Sequence, residues 1–208
     1  TSPRRAVDLT QPPGRDFHTR DARLPPLEAS RTHRVGLTVR ERELEVAPAT
    51  TLAAMTYNGQ FMGPVLRARI GDRMQVHLVN DGSMGHSIDF HASRSSPDTT
   101  MRTISPGRSL DVEFTIDHAG IWLYHCSTMP MSAHIAAGMF GALIVAPADL
   151  PTVDRQYVLV QSETYLAEQN NQPVDTGKIA DEKVDLTMFN GHANQYLFAP
   201  LQARVGER

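Results

Sequence analysis

The chain has 208 residues, of which 40% are hydrophobic, so it can bury the core of one large domain or of one domain and part of another. Its net charge of −3 and pI of about 6.3 argue against a nucleic-acid partner. No apolar run approaches the length of a membrane span, and a single cysteine excludes an internal disulfide. Because the chain starts at Thr1 rather than at methionine, we expect that a leader or a tag has been removed.

Residues 1–32 are rich in proline, arginine and aspartate. Two proline pairs occur there, in Gln11-Pro-Pro-Gly14 and in Leu24-Pro-Pro26. This composition predicts an extended N-terminal arm or linker rather than a domain. His18 and His33, which lie in and beside this segment, are expected to be exposed to solvent.

Residues 33–147 show the pattern of β-strands. Apolar residues alternate with polar ones in short runs, which begin at Val35, Met74 and Leu110. Turn signals such as Asn58-Gly59 separate the runs, and no long helical pattern interrupts them. Short strands with regular turns predict an all-β domain, a Greek-key β-sandwich.

Residues 148–208 follow the expected last strand of that domain, Gly138–Val145. After a linker, the pattern predicts a strand over Gln156–Glu163, a polar loop over 164–182 and a turn at Asn190-Gly191. The residues after the linker are too few for a second sandwich. The simplest interpretation is a linker followed by the incomplete beginning of a second domain. The alternative is a C-terminal extension that packs on the first sandwich.

Four side chains combine the only cysteine with two histidines and a methionine, and we call them the inner site. They are His86, Cys126, His134 and Met139. This is the ligand set of a mononuclear electron-transfer copper, with methionine as the long axial ligand. A cysteine taken alone is usually a small buried hydrophobe, but these types together favour a metal site. Zinc is the alternative metal, although structural zinc sites more often contain several cysteines. Rival axial ligands are Met129 and Met131.

A second group of candidate ligands follows from strand geometry. Successive side chains on a strand point to opposite faces, so Asp89 and His91 share a face. His125 and Cys126 are adjacent and point to opposite faces. If Cys126 and His86 point into the domain, then Asp89, His91 and His125 point outward together. We call these three residues the outer site. The peptide bond between His125 and Cys126 would link the two sites by a short electron path.

These segments resemble the copper-containing nitrite reductases. His86–His91 is similar to the HNVDFH segment of that family, with Ser87 where asparagine is usual. The seven residues between Cys126 and His134 resemble the shorter-loop branch, to which a surface-exposed bacterial nitrite reductase belongs. The resemblance covers about residues 52–208 and leaves the arm out.

The resemblance implies a role for each candidate residue. The type 1 copper ligands are His86, Cys126, His134 and Met139. Two type 2 copper ligands are His91 and His125, and Asp89 is the proton-relay residue. The third type 2 histidine and a catalytic histidine would come from a second domain across a subunit boundary, beyond Arg208. In the family, the side chain at the position of Ser87 usually hydrogen-bonds near the cysteine loop, so serine in place of asparagine is expected to change the type 1 potential.

The resemblance also implies an assembly, partners and a location. Two cupredoxin domains form each subunit, the subunits form a homotrimer, and this chain stops inside the second domain. The partners would be nitrite and a small electron-donor protein, either a cupredoxin or a c-type cytochrome. The location would be extracytoplasmic, in the periplasm, at the cell surface or secreted.

Three functions remain to be compared. The first is copper-dependent one-electron reduction of nitrite to nitric oxide, with the electron passing from type 1 copper to type 2 copper at a subunit interface. The second is a laccase-like multicopper oxidase, whose trinuclear cluster needs many histidines, commonly as His-x-His pairs. Ser127 follows Cys126, and no His-x-His occurs in the chain. The third is an electron carrier with only a type 1 site, which leaves the outer site unexplained. A related oxidase that does not use nitrite also stays open.

Overall fold

A computed structural model describes residues 6–208, so residues 1–5 of the predicted arm lie outside the described residues. The strands are β1 (Thr32–Ala47), β2 (Thr50–Tyr57), β3 (Leu66–Ala68), β4 (Arg73–Asn80), β5 (Asp89–Phe90), β6 (Ser109–Thr115), β7 (Gly120–His125), β8 (Phe140–Val145), β9 (Gln161–Thr164) and β10 (Leu186–Phe189). The helices are short, namely α1 (Pro97–Thr100), α2 (Met131–Ala136), α3 (Thr176–Ala180) and α4 (Gln195–Phe198). None of the helices in the described residues could cross a membrane.

Two four-stranded sheets form the body of the fold. Their strand orders are β2-β1-β4-β6 and β3-β8-β7-β5. The pairs β1–β4 and β3–β8 are parallel, whereas the other pairs in these sheets are antiparallel. Strands that are distant in sequence are neighbours in each sheet, as a Greek-key sandwich requires. The predicted all-β sandwich is therefore confirmed.

The core between the sheets follows the alternation seen in the sequence. On β6, Leu110, Val112 and Phe114 are buried and the residues between them are exposed. They join one hydrophobic cluster with residues of the other sheet, including Phe90 and Tyr124. Each fully buried large apolar side chain contributes about 1.5–3 kcal/mol to the free energy of folding, relative to the same side chain exposed to water. Cys126 and Met139 belong to the same cluster, so the inner site lies inside the core.

The C-terminal segment forms an antiparallel pair, β9–β10, that packs on the sandwich. Leu186 and Met188 enter a second hydrophobic cluster with Ala133 and Ala136 of α2. The predicted strand over Gln156–Glu163 was wrong in its first residues, because β9 begins at Gln161. Residues before it pair with the arm instead, where the Val158 N–H donates to Ala22 O at 2.7 Å. The predicted loop over 164–182 also contains α3. That this segment begins a second cupredoxin domain stays a prediction.

Residues 6–31 of the predicted arm contain turns and coil and are tied to the body by hydrogen bonds. The Arg20 guanidinium donates to Met62 O at 2.6 Å and to Gly63 O at 2.8 Å. Burial lowers the pKa of Arg20 below its ordinary value. The Arg20 N–H donates to Gln195 Oε1 at 2.8 Å, so the arm joins the sandwich to the C-terminal segment.

His33 is buried, so its predicted exposure to solvent was wrong. Its Nε2 lies 2.8 Å from Oδ2 of the buried Asp72, which also accepts a hydrogen bond from the Arg69 N–H at 2.8 Å. Arg31 forms an ion pair with the same carboxylate at 2.8 Å. Burial alone would raise the pKa of Asp72, but these hydrogen bonds and the Arg31 charge bring it below its ordinary value.

We expect Asp72→Asn to lower the free energy of unfolding by about 3 kcal/mol, because its partners then lose a buried charge. Because folding lowers the pKa of Asp72, the difference in unfolding free energy between wild type and variant is present above pH ~4 and shrinks as the pH falls further. Urea unfolding at several pH values measures it. The control is Asp111→Asn, because Asp111 pairs with His77 at 2.7 Å on the exposed surface. It should cost less than about 1 kcal/mol. Equal losses in both variants would contradict the prediction.

Candidate metal centres

Two groups of potential ligands converge within residues 6–208. In each group, one ligand atom per residue lies within 4.8 Å of the others. The groups are His86, Cys126 and His134 of the inner site, and Asp89, His91 and His125, which make up the outer site.

The inner site is closed and buried. Cys126 Sγ lies 3.3 Å from His134 Nδ1 and 4.0 Å from His86 Nδ1. Met139 is tied to both neighbours through its backbone. The Cys126 N–H donates to Met139 O at 3.0 Å, and the Met139 N–H donates to His134 O at 3.0 Å. The four predicted side chains are therefore held in one small region of the core.

The segment between β7 and β8 brings these residues together. Cys126 directly follows β7, α2 carries His134, and Met139 directly precedes β8. The chain turns back at Gly138, whose φ is +115°. A Cβ there would lie 3.0 Å from Met55 O and 3.1 Å from the Phe61 ring. Glycine is required by both the backbone angle and the lack of space.

The surroundings of Cys126 favour its thiolate. Burial opposes ionisation, but hydrogen bonds from His134 and His86 and from the backbone N–H groups of Ser87 and Thr128 bring its pKa to about 5. The thiolate is the form of cysteine that binds metals. The inner site is therefore prepared for a soft metal at neutral pH.

Ser87 hydrogen-bonds to the cysteine loop. Its Oγ accepts from the Ser127 N–H at 3.1 Å and from Thr128 Oγ1 at 2.9 Å. The same Oγ lies 3.8 Å from Cys126 Sγ. Ser87 thus connects the segment that carries His86 to the segment that carries the thiolate.

The outer site lies on the other side of the same sheet. Asp89 is opposite His125 in the β5–β7 pair, so the two share a face. The Nε2 atoms of His91 and His125 are 3.0 Å apart, and His91 Nε2 lies 3.9 Å from Asp89 Oδ2. The His91 side chain is 46% exposed, whereas His125 is buried although it belongs to the outward group. An Nδ1–H of His125 donates to Cys126 O at 2.9 Å, which leaves Nε2 available as a ligand.

Glu41 is the polar neighbour of the inner site that the sequence did not reveal. Its Oε1 lies 3.3 Å from His86 Nε2. Burial would lower the pKa of His86, but hydrogen bonds with Cys126 and Glu41 raise it overall. Glu41 is far from His86 in sequence and on another strand, so no local motif could indicate the contact.

Comparison with known proteins agrees with this geometry. A family model described as multicopper oxidase matches residues 38–149. The copper-containing nitrite reductase of Neisseria gonorrhoeae is 31% identical over 183 residues, which are 84% of this chain and 47% of that protein. The chain belongs to the multicopper oxidase family and is similar to the copper-containing nitrite reductases within it. It spans about half the length of the curated relatives that it matches.

Solved structures give the same family and fold. A copper nitrite reductase from Nitrosomonas europaea is 36% identical, with a TM-score of 0.71 over 77% of this chain and 57% of that chain. A multicopper oxidase is 27% identical, with a TM-score of 0.73 over 97% of this chain and 68% of that chain. These findings confirm the resemblance and the cupredoxin fold.

Copper is the cofactor of this family, and the inner site suits it. A low-pKa thiolate, two imidazole Nδ1 atoms and a thioether form the donor set of a mononuclear copper. Met139 is fully buried beside this set, whereas the rival Met129 is 78% exposed and Met131 is also exposed. The structure therefore favours Met139 as the axial ligand.

We expect the full-length protein to gain intense visible absorption on addition of Cu(II), and Cys126→Ser to abolish it. Met139→Gln should shift the visible bands and the electron paramagnetic resonance parameters, because the axial ligand tunes such a site. Met129→Gln is the matched control and should leave both spectra unchanged. A spectral change in Met129→Gln with none in Met139→Gln would reverse the assignment.

Proposed function

We propose that the protein containing this chain reduces nitrite to nitric oxide, receiving an electron at the inner site and reacting at the outer site. The observation that supports this most is the direct link between His125 and Cys126. These neighbours belong to different sites and are joined by a peptide bond and by the 2.9 Å hydrogen bond from His125 Nδ1 to Cys126 O. The two sites are thereby coupled through the shortest possible stretch of backbone.

Copper, when bound, supplies a one-electron carrier at the inner site and a Lewis acid at the outer site. The protein residues provide the rest. Cys126 and His125 provide the electron path, and His91 and His125 would hold the outer-site copper at which the anion reacts. One electron and two protons convert nitrite into nitric oxide and water, so a proton source is needed beside the outer site.

Asp89 is suited to hold and deliver that proton. Its carboxylate lies 3.9 Å from His91 Nε2, on the same face as His125. A positioned carboxylate can give a proton to the oxygen that leaves nitrite. Asp89 and Cys126 point to opposite faces, so Asp89 has no part in the inner site.

The competing functions explain less of the site. A laccase-like cluster needs many histidines, but the outer group found in residues 6–208 offers two imidazoles and one carboxylate. An electron carrier would need only the inner site and leaves the convergence of Asp89, His91 and His125 without a purpose.

The proposal includes a homotrimer with the outer site at a subunit interface. Two imidazoles are too few to hold a catalytic metal well, and a neighbouring copy is a natural source of a third. Ile121 and Leu123 alternate with His125 on β7, and both are exposed. Exposed apolar side chains beside an incomplete site favour contact with another subunit. The proposal also includes a small electron-donor protein and an extracytoplasmic location.

We expect Asp89→Asn in the full-length enzyme to lower nitrite reduction by roughly 10²–10⁴-fold, the range typical of acid–base groups. The visible spectrum should stay unchanged, because Asp89 faces away from Cys126. Asp98→Asn, an exposed carboxylate on α1, is the control and should keep full activity. Unchanged turnover in Asp89→Asn would remove this residue from the mechanism. A fully loaded wild-type enzyme that does not consume nitrite would favour an oxidase with another substrate.

We expect the full-length protein to be a trimer in size-exclusion chromatography with light scattering. Ile121→Glu should weaken the trimer, because it places a charge in the apolar contact beside the outer site. It should also lose outer-site copper and keep the visible colour of the inner site. Ile70→Glu is the control, since Ile70 is also an exposed isoleucine and lies in the turn between β3 and β4. A monomeric wild-type protein with a full outer site would contradict the proposed interface.

A further inference from the structure

His86 has a partner for each of its two ring nitrogens. Nδ1 faces the Cys126 thiolate at 4.0 Å, and Nε2 faces Oε1 of Glu41 at 3.3 Å. The His86 side chain is fully buried, and the Glu41 side chain is 29% exposed. A histidine that binds a metal through one nitrogen commonly donates the other N–H to a carboxylate, which fixes the ring orientation.

The Glu41 carboxylate is itself held in place. Both of its oxygens accept from the Ser83 N–H, at 3.1 and 2.9 Å. Glu41 lies within β1 and is paired there with Met55 of β2, which holds its backbone. A Cβ on Gly82 would lie 2.8 Å from Glu41 Oε1, so glycine leaves the space that the carboxylate occupies.

We propose that Glu41 is a positioning residue for the inner site. It accepts the Nε2–H of His86, keeps Nδ1 directed at Cys126, and lowers the reduction potential through its negative charge. A carboxylate close to the metal stabilises Cu(II) more than Cu(I), and partial burial limits the screening of this charge by solvent. The inference rests on the proposed role of the inner site as the place where the electron enters.

A merely structural role would differ in one measurable respect. If Glu41 only anchored the loop at Ser83, its replacement would change stability and leave the reduction potential unchanged. Glu41→Gln suits the test because glutamine keeps the size of the side chain and still accepts a hydrogen bond, but carries no charge. The matched control is Glu43→Gln, since Glu43 lies two residues further along the same face of β1 and hydrogen-bonds to Thr51 Oγ1 instead.

The experiment is a redox titration of the full-length, copper-loaded protein, followed at the visible band. In Glu41→Gln we expect a roughly tenfold loss of Cu(II) affinity relative to Cu(I), which equals a rise of about 59 mV for one electron. Glu43→Gln should titrate like the wild type. Gly82→Ala keeps every charge but displaces the carboxylate, and it should raise the potential by a smaller amount.

Two results would overturn the inference. One is a Glu41→Gln potential equal to that of the wild type, and the other is an equal rise in Glu43→Gln, which would indicate a general charge effect. The colour of the wild-type protein reports the proposed function separately. A colourless copper-loaded wild type would remove the electron-entry site and this inference together, whereas a coloured protein with an unshifted Glu41→Gln potential would remove this inference alone.

Discussion

Adjacent side chains on a strand point to opposite faces of the sheet, and in this chain that constraint falls between His125 and Cys126 at the end of β7. Cys126 therefore enters the core, and His125 faces the other side of the sheet. β5 then places Asp89 opposite His125 on that other side. Two sites of different character are separated by a single sheet and joined by one peptide bond.

The same alternation explains how much of the fold and site could be predicted. The buried apolar residues of β1, β4 and β6 follow this alternation, and the side chains of Cys126 and His125 point to opposite faces of the sheet. His86 precedes the two-residue strand β5 and is buried, and its N–H donates to Ile104 O at 3.1 Å. A short extended segment is enough to keep the alternation of side-chain directions.

The parts that sequence could not predict depend on contacts between distant segments. His33 is polar and stands beside a proline-rich arm, so its burial depends on Asp72, which lies in the turn before β4. The strand predicted from Gln156 begins later because the arm occupies the hydrogen-bonding groups that precede it. Glu41 of β1 contacts His86 in the segment between β4 and β5. In each case a polar group finds its partner only after the sheets have packed, and no local pattern records that.

Burial gives the two sites different requirements. Cys126 and Met139 are part of the hydrophobic cluster, so the same packing that stabilises the sandwich holds their positions. A buried thiolate is costly on its own, and the donors from Ser87, Thr128 and the two histidines offset that cost. The packing of the core therefore sets the geometry of the inner site. The outer site lies beside the edge strand β5, and the His91 side chain is about half exposed to solvent. The three residues of this site offer two imidazoles and one carboxylate as metal ligands. In the proposed enzyme, the final geometry of the outer site depends on the neighbouring subunit. Electron entry then needs the residues of one chain, whereas nitrite reduction needs the assembled trimer.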